Sequence, residues 1–299
     1  MNPSSLTRRS ALQVGGAAAL ATTAQFAPVI AGEKKKKRKV LFFTKSSGYQ
    51  HGVVRRKGEQ PAFAERVLTG YGKSYGFDVH ATKDGRIFDK DLDVYDAVVF
   101  YTTGDLTRVG GDKAPAMSKK GKQALLEWIE AGNGFVGSHC ASDTFHTKGP
   151  SRKNQKKKDP YIAMIGGEFI THGRQQRTTM RVVDKKFPGM KVAGSKYEMH
   201  EEWYCLKNLA TDMHVLLVTE TKGMKGRDYK RPPYPGTWAR AHKKGRVFYT
   251  SMGHRNDVWT NPIFKSIFVG GIQWAMGELK ADVTPNIAKV TPGAHKFPG

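Results

Sequence analysis

Apolar residues recur in short unbroken blocks, separated by stretches with helical spacing. Val40-Leu41-Phe42-Phe43-Thr44 and Asp96 to Thr103 (DAVVFYTT) are continuous runs, as strands buried on both faces require. Phe77-Asp78-Val79-His80-Ala81 alternates and predicts a strand exposed on one face. Between the first two blocks, Phe63, Val67, Leu68 and Tyr71 lie on one face of a helix predicted over Pro61 to Tyr75. Ser118 is placed to cap a second helix, whose Leu125, Trp128 and Ile129 face the sheet and which closes on Gly132 before a strand at Phe135. Strands and helices alternating at this spacing predict βαβ units and a mainly parallel sheet.

The pattern loosens further on. A short helix is predicted from Pro160 to Ile165, and Glu168-Phe169-Ile170-Thr171-His172-Gly173 leads into a strand at Thr178 to Val183. The segment from Lys196 to Leu206 and the apolar Val215 to Thr219 follow. Pro235 to Arg240 and Arg246 to Thr250 form a predicted hairpin across His242 to Gly245, and the second strand ends in Ser251-Met252-Gly253-His254. Pro262 to Met276 reads as the last helix, and the tail from Lys280 has little periodicity. The predicted layout is an export segment at 1–31, a basic linker at 32–38, one α/β domain at 39–279 and a tail at 280–299.

Gly132 to His146 (GNGFVGSHCASDTFH) is the stretch where chemistry concentrates. A strand stops there, and Ser138, His139, Cys140, Ser142, Asp143 and His146 follow within nine residues. In open α/β sheets ligands bind outside the carboxyl ends of the strands, which makes this edge the expected site.

At 299 residues, 38% hydrophobic and 25% charged, the chain can bury a sizeable core. Its net charge of +24 raises the question of polyanionic partners. Much of the excess sits in Lys34 to Lys39 and Lys148 to Lys158, which lack interleaved aromatics and read as solvated segments, so specific nucleic-acid binding is not expected. Cys140 and Cys205 match no zinc spacing and are expected as free or buried thiols. At the amino end, Thr7-Arg8-Arg9-Ser10-Ala11-Leu12 precedes a mildly apolar run, which predicts a bacterial twin-arginine signal, cleavage after Ala31 and a periplasmic or other extracytoplasmic location. No other apolar run is long enough to cross a bilayer, so no transmembrane segment is expected in the mature chain. Oligomeric state is not legible.

Seven segments, taken in order, resemble the ThuA-like, or trehalose-utilisation, group of the class I glutamine amidotransferase-like superfamily. They are VLFFTKSSGYQH at 40–51, GNGFVGSHCASDTF at 132–145, IGGEFITH at 165–172, HEEWY at 200–204, PGTWAR at 235–240, GRVFYTSMGH at 245–254 and IQWAMG at 272–277. The resemblance implies a flavodoxin-like sheet with helices on both faces and a link to disaccharide catabolism. It does not imply glutaminase activity. That chemistry needs a thiolate at the strand-to-helix elbow, whereas here His139 holds the elbow and Cys140 comes one position later.

The candidate catalytic residues are His139, Glu202 and His254, and the candidate substrate-binding residues are His51, Asp143, His172 and Trp238. Histidine with carboxylate supports acid–base catalysis near neutral pH or a divalent metal, and the spacing does not choose between them. Glu201, adjacent to Glu202, is expected on the opposite face of a strand. Two functions remain open. One is an enzyme, a hydrolase, lyase or isomerase, acting on a small carbohydrate such as an oxidised disaccharide, with Trp238 as a stacking face. The other is a non-catalytic module that binds sugar or acidic polysaccharide.

Overall fold

A computed structural model describes residues 37–297; the predicted export signal lies outside them. In chain order the elements are β1 (Arg38–Phe43), α1 (Phe63–Tyr75), β2 (Phe77–Thr82), β3 (Ala97–Phe100), α2 (Lys119–Glu130), β4 (Gly134–Ser138), α3 (Pro160–Ile165), β5 (Glu168–His172) and β6 (Gln176–Val182). They continue with β7 (Lys196–Glu201), β8 (Tyr204–Lys207), β9 (His214–Thr219), β10 (Tyr234–His242), β11 (Gly245–Thr250), α4 (Asn256–Trp259), α5 (Pro262–Ala275) and α6 (Ile287–Val290).

Nine strands form one sheet in the order β2-β1-β3-β4-β11-β10-β9-β6-β7, while β5 and β8 pair separately. Every pairing from β2 to β11 is parallel, and every pairing from β11 to β7 is antiparallel. The core of the sheet is the expected parallel one. The antiparallel half grows from the β10–β11 hairpin, which needs only a short turn where a parallel crossover would need a helix.

Two glycines show how helices cover both faces. Gly134 of β4 aligns with Arg246 of β11, so Gly245 points to the other side of the sheet. A Cβ on Gly134 would stand 2.5 Å from the Ala275 carbonyl oxygen of α5, and one on Gly245 would stand 2.2 Å from the Ile129 carbonyl oxygen of α2. The two helices therefore press on opposite faces, each against a strand position where only glycine fits.

Capping accounts for where the helices begin. Ser118 accepts a hydrogen bond from the Gly121 amide at the start of α2, and Asn261 does the same for Ile263 and Phe264 at the start of α5. The tail is docked despite its lack of periodicity. Asn286 accepts a hydrogen bond from the Val215 amide and donates one to its carbonyl, and Ile287 and Ala294 are buried. The basic loop at 148–158 is mostly exposed, tied down by Arg152 on Asp228 and by Lys158 on the Asn208 carbonyl.

Candidate functional site

Four side chains from separate parts of the chain meet at the carboxyl edge of the parallel strands. His51 comes from the loop after β1, His139 directly follows β4, His254 follows β11, and Glu202 sits between β7 and β8. One donor atom from each lies within 4.8 Å of all the others.

His139 is fully buried and occupies the elbow with φ 46°, a left-handed conformation that a side chain bearing a Cβ adopts rarely. Its Nδ1 donates to the Ser251 carbonyl at 2.8 Å, which fixes the ring and turns Nε2 toward the interior of the cluster. That Nε2 is 3.4 Å from Glu202 Oε2 and 3.3 Å from His254 Nδ1, and His254 Nδ1 is 3.1 Å from the same Glu202 oxygen. His51 is buried, and its Nδ1 has no hydrogen-bond partner. Its ring meets those of His139 and His254 edge to face at 5.1 and 5.2 Å.

Electrostatics keep His51 and Glu202 in ligand form. Burial, together with neighbouring His139 and His254, lowers the His51 pKa to about 2, so its imidazole is neutral. Burial alone would raise the Glu202 carboxyl, but hydrogen bonds from His139 and His254 outweigh it and hold the group well below the ordinary carboxylate range. Nitrogen and oxygen atoms this close to one another need a proton or a cation between them. A tetrahedral ion with bonds of about 2.1 Å keeps its donor atoms about 3.4 Å apart, and the three measured separations of 3.1 to 3.4 Å match that edge. The donor set therefore fits a divalent metal of the nitrogen- and oxygen-loving kind.

Around these four, other residues have supporting roles. Glu201 is fully buried, and burial raises its carboxyl. It accepts hydrogen bonds from the Gly253 and His254 amides at 2.8 and 3.1 Å and from the Glu202 amide at 2.8 Å. It thus pins the backbone of two candidate ligands, a role that strand alternation did not suggest. The Tyr204 ring lies 4.0 Å from that of His139 and forms a wall of the site. His172 is half-exposed, and its Nδ1 sits 3.3 Å from the outer oxygen of Glu202, on the solvent side of the cluster.

Two of the expected substrate contacts lie elsewhere. Trp238 is fully buried, donates its indole N–H to the Ile165 carbonyl and packs on Tyr249, so it has no face to offer a sugar. Asp143 pairs at 2.7 Å with His146, whose other nitrogen is 3.2 Å from Glu168. Hydrogen bonds that His146 donates to these two carboxylates, that to Asp143 first, raise its pKa to about 9. This pairing contributes stability that is fully present below the unfolded value of 6.5 and is lost as pH rises through about 9. The difference in Tm between the native chain and a His146→Ala variant is expected to shrink across that window. An unchanged difference would show that His146 carries no such charge.

Cys140 is buried, and burial raises its thiol well above the ordinary range, so it is not a poised nucleophile. Cys205 is likewise a buried free thiol. Among the described residues no helix is long and apolar enough to cross a membrane.

Comparison with known proteins agrees with this architecture. The family model ThuA, described as trehalose utilisation, matches residues 39–275. A ThuA-like protein from Bacteroides uniformis superposes with a TM-score of 0.58 at 19% identity, covering 81% of this chain and 93% of the other. Another, from Parabacteroides merdae, gives 0.55 at 19% identity and covers 88% and 97%. At these identities the likeness speaks for the flavodoxin-like fold. No curated protein matches the sequence.

Proposed function

The chain belongs to the ThuA family, described as trehalose utilisation, and from that premise we propose that it acts on a small carbohydrate at a divalent-metal centre. His139, Glu202 and His254 would hold the ion, with His51 at a fourth corner. The reading rests on the spacing of the inward-facing donor atoms, which suits a metal.

Bound there, a divalent ion would supply Lewis acidity toward a carbonyl or hydroxyl oxygen of the sugar. The protein's own part is to position and to move protons. Ser251 and Glu201 orient His139 and His254. His172, half-exposed against the outer oxygen of Glu202, exchanges a proton between the substrate and solvent. That division of labour suits an oxidised sugar, in which a carbon next to a carbonyl gives up or accepts a proton. We further propose that the protein works outside the cytoplasm, on the strength of the twin arginine at Arg8-Arg9.

Elemental analysis of the mature, untagged protein, purified without chelators, tests the centre. About one equivalent of a single divalent metal per chain is expected. Metal-free protein that also fails to take up added zinc would remove the centre and with it this mechanism.

A further inference from the structure

Residues 148–158 carry six lysines and arginines and no acid, yet hydrogen bonds fold them into a defined loop. Gln155 sits at its centre. Its Nε2 donates to the Pro150 carbonyl at 2.9 Å, its Oε1 accepts from Asn208 Nδ2 at 2.8 Å, and its amide donates to Asn208 Oδ1 at 2.7 Å. Asn208 is buried, and its own amide donates to Asn154 Oδ1 at 2.8 Å. Lys148, Lys153, Lys156 and Lys157 stand exposed on this scaffold and, among the described residues, form no ion pair.

Two neighbouring segments add to the same field. Asn154 Nδ2 donates to the His295 carbonyl at 3.3 Å, which joins 292–297 to the loop, and Arg152 pairs with Asp228 at 2.8 Å, which joins 227–231. These segments contribute four more lysines and arginines, and Asp228 is their one acid. Arg231 is buried, and its guanidinium rests on the Leu206 and Ala294 carbonyls instead of a carboxylate. Partial burial and the nearby charges of Lys158 and Arg231 lower the His295 pKa. Like charges on a loose loop would spread apart. Here the fold holds them together, at a cost that an opposing charge would offset.

We propose that this face is a docking surface for an acidic polysaccharide, and it shares no residue with the His/Glu cluster. Lysine is a compact, hydrated point charge that makes no demand on the orientation of its partner, which suits carboxylates or sulfates recurring along a flexible chain. Arg152 is the loop's one arginine, and Asp228 already takes up its guanidinium, so the loop has no free planar fork for bidentate phosphate recognition. Residues 148–158 also contain no aromatic side chain to stack on bases and, apart from Pro150, no apolar one to enter a bilayer.

Fluorescence anisotropy with labelled alginate, a polyuronate, tests this on the full chain. Affinity is expected to fall at least tenfold between about 50 and 200 mM salt. Lys148→Gln, Lys153→Gln, Lys156→Gln and Lys157→Gln combined are expected to weaken binding about tenfold at the lower salt. A control that combines Lys73→Gln, Lys120→Gln, Lys191→Gln and Lys196→Gln, at exposed lysines elsewhere, lowers the net charge equally and is expected to stay within about twofold of the native chain. All eight side chains are exposed, so both variants keep the native fold. The proposal is overturned if the native chain does not bind alginate at the lower salt, or if the two variants lose affinity equally. Tighter binding to a single-stranded oligonucleotide or to phosphatidylglycerol vesicles of equal charge would also overturn it.

Discussion

A Glu201→Ala chain is expected to bind zinc about 10- to 100-fold more weakly than the native protein, although no atom of Glu201 belongs to the donor set. Its carboxylate holds the amides of Gly253, His254 and Glu202, so removing it releases the backbone of two ligands together and leaves buried N–H groups without acceptors. Glu202→Ala removes a ligand outright and is expected to cost more than Glu201→Ala, because no neighbouring carboxylate oxygen replaces Oε2 between His139 and His254. Competition against a chromogenic chelator measures both. Native affinity in the Glu202→Ala chain would exclude the centre, and native affinity in Glu201→Ala would reduce that residue to a structural role. Mild acidification should leave both Glu202 and His51 unprotonated, since the first is held below the ordinary carboxylate range and the second titrates near 2.

Trp238→Ala is expected to destabilise the fold by about 3–5 kcal/mol, the usual cost of deleting a fully buried large aromatic. The indole fills a space that the chain leaves for it. A Cβ on Gly167 would stand 2.9 Å from the ring, and the indole N–H is satisfied by the Ile165 carbonyl at the end of α3. Equilibrium unfolding in denaturant gives the loss, and metal content of the folded variant is expected to stay at the native level. A variant of native stability that no longer bound sugar would return Trp238 to the site.

These two cases show what the sequence carries and what it does not. Strand ends followed by glycine and histidine are legible because topology alone brings them to one edge, and His51, His139 and His254 meet there. An aromatic beside a strand end looks the same in sequence whether it lines a cleft or, like Trp238, plugs a gap opposite Gly166 and Gly167; only packing separates the two. For Glu201 alternation is no guide, because it describes a side chain's face only within a strand. The chain leaves β7 at that residue, so Glu201 and Glu202 both serve one cluster. The docked tail escaped notice for a similar reason: Asn286 grips the β9 backbone through its amide, and such a contact has no period. The parallel half of the sheet was written in unbroken apolar runs. The antiparallel half was announced only by one hairpin.

The four donor atoms are spread from residue 51 to residue 254, so no short fragment of the chain contains them. Bringing such distant segments together costs chain entropy before their contacts repay it, which places their meeting late in folding. An ion at this position binds the finished domain and not the open chain, and stabilises it by mass action. Contacts absent from the transition state slow unfolding and leave the refolding rate unchanged, so an ion bound there would act as a latch on the closed fold.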